Sequence, residues 1–594
     1  MVVEASTDPV FGKLVMLAPG GAIPAAFRQP TYRLAPVSGP DAVGMLGSVP
    51  GVLDGVGTKR AVNTAAIVRM IEQVSALVID FPEISRLSLN PVWVDERWAV
   101  AADAAVEIDF DPAPPRWRPD HAVILEQMNR IMRPDAIAVI GASEQEGKIG
   151  NLVMRNLLSA GYEGALYPIH PHASSILGRK AYRSVKDVPG RIDVAVFAIP
   201  GEYVASVLVE VGEKQIPGAV LIPSGFAETG NIAGQEELVG IARKYAVRLM
   251  GPNIYGYCYT PKKVCATFCP PYDLPGNAAL CTQSGGIGAS IIGFSRTARM
   301  GASAIVGLGN KSDLDEDDLL TFFEQDEPTR IIAMHFEDLK DGRGFAEVAS
   351  RVSRKKPIVV LKAGRTAAGA RAAHAHTGAI AGDDKIYEDV LKQSGVIRAR
   401  SLRELLELTR GIPLLPTPTG ENVLIVTAAG GSGVLLSDAC VENGLTLMKM
   451  PVDLDTAFRK FIPPFGAAGN PVDITGGQAP VTYQNTVRLG LQDPRVHALV
   501  LGYWHTVITP PMVFANLIVD VVQEMRRKGC EKPVVASLSG DVEVEAAAEF
   551  LYQHGIPAYA YSTEIPVAVL GAKYRWARSA GLLVPADNRF TASL

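Results

Sequence analysis

The sequence predicts an α/β protein with parallel sheets, preceded by a small α+β segment. Three observations predict it. Between Arg130 and Tyr259 short β-rich apolar runs alternate with helical stretches. Further on, two units repeat one pattern: an apolar strand, a glycine-rich turn, a helix. Before all of these, Pro112–Arg118 reads Pro-Ala-Pro-Pro-Arg-Trp-Arg, which suits an extended connection and not a helix.

The chain has 594 residues, far more than one domain. The reading in order is a small segment at 1–111, a linker at 112–129, an α/β domain at 130–259, two like domains at 273–415 and 416–581, and a tail at 582–594. The first segment has a glycine-rich start at Pro19–Gly21, a helix over Val62–Phe81, and a hairpin from Leu87–Val94 and Ala99–Ile108. The α/β domain has strands at Ala136–Ile140, Ala165–Ile169, Asp193–Ile199, Ala219–Ile222 and Arg248–Met250, with a helix at Asn151–Ala160. Such a rhythm means a parallel sheet covered on both faces, with ligands at the carboxyl ends of its strands. In the like domains Ala278–Thr282 leads into Gln283–Gly288, and Asn422–Ala428 leads into Ala429–Gly433. The proline-rich Ile412–Thr419 divides them.

Composition excludes several function classes. A net charge of −5 with no basic patch gives no reason to expect nucleic acid or a membrane surface. The apolar runs are too short and broken for a transmembrane helix, and the start does not read as a signal peptide. Six cysteines in this length are no disulfide framework, and a reducing cytoplasm is expected. Cys258, Cys265, Cys269 and Cys281 cluster loosely, but no C-x-x-C pair supports a zinc site.

Five places carry candidate chemistry. Gly141-Ala142-Ser143 follows a strand and precedes a helix, so a phosphate-bearing ligand or a plain tight turn both fit. The turns at Gln283–Gly288 and Ala429–Gly433 each open a helix whose free N–H groups suit a phosphoryl group; singly, each also reads as an ordinary turn. Ala372–Gly382 holds His374 and His376 among small residues, after an extended run at Pro357–Lys362 and a loop at Ala363–Arg371. It reads as a moving loop whose imidazole acts as nucleophile, or as a surface loop with two solvated histidines. Glu337 ends an apolar strand and is placed either to fix a tautomer of His376 or to pair with a surface cation. The acidic Gly309–Leu320 lacks the glycine and final glutamate of an EF-hand and reads as a solvated loop and helix start.

Taken in order, the motifs resemble the ADP-forming acyl-CoA synthetases, relatives of succinyl-CoA synthetase. The residues are Ile140–Ser143, Asn156-Leu157-Leu158, Gly251-Pro252-Asn253, Gln283-Ser284-Gly285, Gly309-Asn310, His376-Thr377-Gly378-Ala379, Ala429-Gly430-Gly431 and Asn470–Asp473. The resemblance implies a Rossmann-like CoA-binding domain and two flavodoxin-like succinyl-CoA-ligase domains, preceded by part of an ATP-grasp domain. It implies that ATP phosphorylates His376, that a carboxylic acid takes the phosphate, and that CoA then forms the thioester. Glu337 is implied as the partner of His376. CoA contacts are implied at Gly141, Ala142, Ser143, Ile199, Pro200, Ser224, Gly225 and Asn253, and phosphate contacts at Gln283, Ser284, Gly285, Gly430 and Gly431. Asn90 and Asp103 are implied as Mg²⁺ ligands, both being oxygen donors.

There are departures from the family pattern. Ser88 stands where an acidic residue is usual, Ala25 where a glutamate is, and His170 and His172 where Asn and Lys are. Only the C-terminal part of the ATP-grasp domain is matched, so a separate ATP-grasp subunit or an upstream piece is expected to complete the site, in an oligomer. The implied acid is short, such as acetate, or a hydroxycinnamate such as ferulate. The rival is a CoA-binding regulatory protein without ATP-dependent ligase activity. An NAD-dependent dehydrogenase is disfavoured for want of G-x-G-x-x-G.

Overall fold

The computed structural model describes residues 1–20, 29–49, 62–111, 120–272, 274–377 and 383–583, with the backbone alone at 374–377. Ala25, the Pro112–Arg118 linker and most of the 582–594 tail lie outside the described residues. The chain forms two compact units, Met1–Val352 with Val360–Arg398, and Ser353–Val359 with the chain from Ala399 onward.

The first unit begins with a five-stranded antiparallel sheet, in the order Thr31–Leu34, Gly12–Ala18, Val2–Asp8, Ile84–Leu89, Ala104–Ile108. Its core is made by the Gly39–Ser48 and Thr64–Asp80 helices. Ile67, Ile71, Val74 and Val78 recur at helical spacing and are buried, while the Asn63 side chain caps the N–H of Ala66. The expected hairpin is a short one, Val92–Val94 with Ala99–Ala101; its flanking strands pair with each other in the larger sheet.

Next comes a five-stranded parallel sheet. Its order is Arg248–Met250, Gly218–Leu221, Val194–Phe197, Ala136–Ile140, Ala165–Ile169. Every residue of its three inner strands is buried, as strands covered on both faces require. The chain moves outward from Ala136–Ile140 on one side and then on the other, so a topological switch point lies between Gly141 and Ala198.

The third sheet has seven strands with Pro275–Thr282 at its centre, between Ala302–Gly307 and Ile331–Phe336. A hairpin, Gly256–Tyr259 with Val264–Thr267, extends it antiparallel to Ala302–Gly307. The second unit holds a parallel sheet ordered Thr446–Leu447, Asn422–Thr427, Ala498–Trp504, Val534–Ser539, Ala558–Ala560, with Val472–Asp473 also on Asn422–Thr427. In both sheets the strand feeding the glycine turn has later strands on either side, and a threonine closes the turn alike. Thr282 Oγ1 donates to Ser284 O, and Thr427 Oγ1 donates to Ala429 O.

Three expectations are corrected. The linker expected at 112–129 is not extended to its end, for His121–Met132 is a helix whose Met128, Ile131 and Met132 are buried. The stretch Ala363–Thr377 is not all loop: Ala367–Thr377 is a helix, because alanine is the best helix former and six of these eleven residues are alanine. The acidic Gly309–Leu320 is not solvated. Lys311, Glu316 and Asp318 are buried, and Asp315 and Asp318 form a capping box for the Glu316–Gln325 helix. Among the described residues no helix is long and apolar enough to cross a membrane.

Candidate functional site

The carboxyl ends of the parallel strands in the first unit open into a cleft of about 1140 Å³. That exceeds the ~300–1,000 Å³ usual for small-molecule sites and suits a long ligand. Gly141, Ala142, Ser143, Ile199, Pro200, Ser224 and Asn253 line it, and so do Gln283, Ser284 and Gly285. Residues expected to meet CoA and residues expected to meet phosphate therefore share one cleft. Gly225 adjoins it, with its N–H held by Glu228 Oε1 at 2.5 Å.

Glycine at two positions permits the cleft floor. Gly141 has φ +85°, and a Cβ there would meet Ala198 O at 2.4 Å; a Cβ at Gly150 would lie 1.9 Å from Gly141 O. The first turn of the Ile149–Ser159 helix thus rests on the turn, with its N–H groups toward the cleft. Asn151 Nδ2 donates to Ser143 O (2.9 Å) and Glu144 O (3.2 Å), which fixes the turn. Asn156 in the same helix donates to Thr267 O (2.6 Å) and Cys269 O (2.9 Å), joining the helix to the cleft wall. Phe268 and Cys269 line that wall.

His170 also lines the cleft. Its Nδ1 accepts the N–H of His172 (3.1 Å) and of Ala173 (3.0 Å), the loop-capping task an asparagine side chain performs. In the neutral ring the proton then sits on Nε2.

At the other wall Gly309 packs under Pro252 and Asn253; a Cβ on Gly309 would meet Pro252 O at 2.3 Å. Asn310 Nδ2 donates to Glu228 Oε2 (2.5 Å) and Gln235 Oε1 (2.9 Å). Burial pushes the Glu228 carboxyl up, but the hydrogen bonds from Asn310, Gly225 and Phe226 outweigh it and leave its pKa lowered.

The Gln283 turn is held from behind. Gln283 Nε2 donates to Asp338 Oδ1 (3.0 Å), and Gln283 Oε1 accepts the N–H of Glu337 (2.8 Å). Lys311 Nζ, with none of its side chain exposed, reaches Asp338 O (2.7 Å), Asp338 Oδ1 (3.0 Å) and Glu316 Oε1 (2.9 Å). Sequence reasoning missed Lys311, Asp338 and Glu228 as supports, and quoted Asn310 only as part of a motif, because Lys311–Asp338, Asp338–Gln283 and Asn310–Glu228 join residues 27 to 82 apart in the chain. Gly285 and Gly286 have open space where a Cβ would stand, so a ligand has room at the helix start.

Other expected residues lie elsewhere. His376 belongs to the Ala367–Thr377 helix, and its side chain is outside the described residues. Gly430 and Gly431 open the Gly430–Glu442 helix of the second unit; Gly431 is unobstructed, and a Cβ on Gly430 would come within 2.9 Å of Asp473. There Asn470 Nδ2 donates to Val423 O and Met448 O, and its Oδ1 accepts from Ile425 N. Asn90 and Asp103 adjoin through Asn90 N donating to Asp103 O at 3.2 Å, and both are exposed. Both carry side-chain oxygens, the donor type that Mg²⁺ prefers.

The described residues combine a cleft at a switch point with glycine turns that open helices, the arrangement of proteins that take nucleotide-like and phosphate-bearing ligands. Four family models match: an ATP-grasp domain at 1–108, a CoA binding domain at 135–260, a succinyl-CoA ligase like flavodoxin domain at 275–412, and a ligase-CoA domain at 423–584. The chain is 42% identical over 457 residues to subunit alpha of acetate–CoA ligase [ADP-forming] I from Pyrococcus furiosus, covering 76% of this chain and 98% of that one. It is 32% identical over 600 residues to acetate–CoA ligase [ADP-forming] II from Archaeoglobus fulgidus, covering 97% and 85%. A solved structure of acetyl-coenzyme A synthetase 1 from Ca. Korarchaeum cryptofilum, with phosphate and ADP, matches with TM-score 0.74 at 42% identity, over 77% of this chain and 98% of that one. The chain belongs to the ADP-forming acyl-CoA synthetase family.

Proposed function

We propose that this acid–thiol ligase makes acyl-CoA from a short carboxylic acid such as acetate, through phosphorylation of His376. ATP gives its terminal phosphoryl group to an imidazole nitrogen and leaves as ADP. A carboxylate oxygen of the acid then attacks phosphorus, freeing the imidazole and forming an acyl phosphate. The CoA thiolate attacks the acyl carbonyl, and inorganic phosphate departs. Glu337 holds the second imidazole nitrogen so that the first is free to attack. The turns at Gln283–Gly285 and at Gly430–Gly431 are the phosphate-binding elements, and the cleft at Gly141–Ser143 receives CoA. Asn90 and Asp103 would hold Mg²⁺, which neutralises phosphate charge when bound. The remainder of the ATP-grasp site is supplied by a separate subunit or a further length of chain.

The observation that carries this reading is the shared cleft, where the Gly141 turn and the Gln283 turn line one cavity. Two labelling routes test it. Labelled ATP, with an ATP-grasp partner supplied, should phosphorylate the parent and His374→Ala but not His376→Ala. Acetyl-CoA with labelled phosphate should give the same pattern by running the last steps backward, without ATP. Equal labelling of the two variants would refute the assignment of His376. A panel of acids that yields no ATP-dependent loss of CoA thiol, with that partner present, would favour the regulatory protein.

A further inference from the structure

We propose that Gln283 is a positioning residue for the Glu337–His376 step, held in register by Asp338 and Lys311; this rests on the function proposed above. The Gln283 side chain is 7% exposed with its residue, and both ends of its amide are committed. Oε1 accepts from the main chain of Glu337, and Nε2 donates to Asp338 Oδ1. Its own N–H donates to His335 O at 3.0 Å. The amide has one workable orientation. Flipped, it would set an NH₂ group against the Glu337 N–H and an oxygen against a carboxylate.

Asp338 is fixed in turn. Lys311 grips both its carbonyl and its carboxylate, and Glu316 occupies a further ammonium proton. A buried ion pair of this kind is seldom the most stabilising filler of its volume, since apolar residues of like size do as well. What the lysine supplies is direction: three acceptors around one ammonium set where Asp338 stands, and so where Gln283 and Glu337 stand. The preceding residue, Asn310, binds Glu228, whose other oxygen holds the N–H groups of Gly225 and Phe226. A run of polar contacts, bridged by the Asn310–Lys311 peptide, thus joins the loop beside the CoA cleft to the main chain of Glu337. Gln283 also lines that cleft, and its side-chain amide is spent on Glu337 N and Asp338.

The test is a double-mutant cycle on the full chain, using acetyl-CoA and labelled phosphate. Gln283→Met keeps the volume and removes both amide hydrogen bonds. It should slow labelling of His376 by about 10- to 100-fold, as a misplaced catalytic group does. CoA affinity by calorimetry should stay within about twofold of the parent, the phosphate turn's role being in transfer and not in CoA binding. In a Glu337→Gln background the same substitution should cost almost nothing more, because a residue that acts through Glu337 has nothing left to position. Asp338→Asn, which keeps an oxygen for the Gln283 amide but takes one carboxylate from Lys311, should show the same non-additivity. Losses that multiply in the double variant, or CoA affinity falling in step with labelling, would overturn the positioning role. A parent that takes no label from acetyl-CoA and phosphate would instead bring down the parent reading, and this one with it.

Discussion

Lys311→Met removes the buried cation that Glu316 and Asp338 share, leaving Asp338 only the more distant Lys340 at 3.8 Å. Lys311 has a fully buried side chain, Glu316 is 2% exposed, and Asp338 is 8% exposed. Burial pushes Lys311 down, but Glu316 and Asp338 outweigh it and hold it above the ordinary lysine value. For Asp338 burial pushes the carboxyl up, and Lys311 and Lys340 more than reverse this. Methionine fills the volume but leaves Glu316 without its counter-ion and Asp338 with only the part-exposed Lys340, so a loss of about 3–5 kcal/mol is expected near pH 7. The sign with pH follows. Without Lys311 the Asp338 carboxyl rises above its unfolded value, and its folded form takes a proton first as pH falls. The penalty is therefore largest at neutral pH and shrinks toward pH 4. Tryptophan fluorescence is blind here, because the five tryptophans are at 93, 98, 117, 504 and 576. Amide exchange in peptides covering 279–285 and 331–340 reports the site directly, with a thermal-shift series across pH beside it. A loss under about 1 kcal/mol, or one that does not diminish with acid, would refute the claim that this ion cluster is held by charge. Lys311→Met with Glu316→Gln should recover part of the loss.

Two further outcomes are expected. Gly150→Ala should displace the Ile149–Ser159 helix and weaken CoA binding at least tenfold by calorimetry, while Gly285→Ala, which meets nothing within 4 Å, should leave thermal stability unchanged and slow only phosphoryl transfer. Burial pushes His335 down to about 4, with Glu337 opposing and Lys311 adding to the shift, so the unfolded chain takes up the proton first; stability should be full above about pH 6.5 and fall by about 3 kcal/mol toward pH 4, and His335→Gln should flatten that part of a denaturation series.

Much of this was legible in the sequence, for physical reasons. Strands buried on both faces, such as Ala136–Ile140, are unbroken apolar runs, and a glycine that must accept φ +85° announces the turn after it. The Gly141 and Gln283 turns, both quoted among the family motifs, line one cleft. What failed was whatever depends on partners far along the chain. Small residues around His376 suggested a loop, yet alanines one after another favour helix once a fold offers an anchor. The charges of Gly309–Leu320 suggested solvent, yet Arg248 pairs with Asp313 and Asp318 from over sixty residues upstream. His170 looked like a plain departure from an asparagine, and its ring nitrogen turned out to cap the same kind of loop.

The N-terminal sheet meets the rest of its unit in a way that bears on how the protein can be dissected. Thr31–Leu34 is an outer strand, and its free N–H groups at Tyr32 and Leu34 are taken by Asp389 Oδ2 and Gln393 Oε1, each at 2.8 Å. Phe11 meanwhile packs edge-on against Tyr387. Cut free at residue 111, this fragment would present a bare ribbon margin and an uncovered aromatic ring to its neighbours, an invitation to self-association. Splitting the polypeptide for co-expression therefore calls for keeping the Asp384–Gln393 helix in company with the first hundred residues.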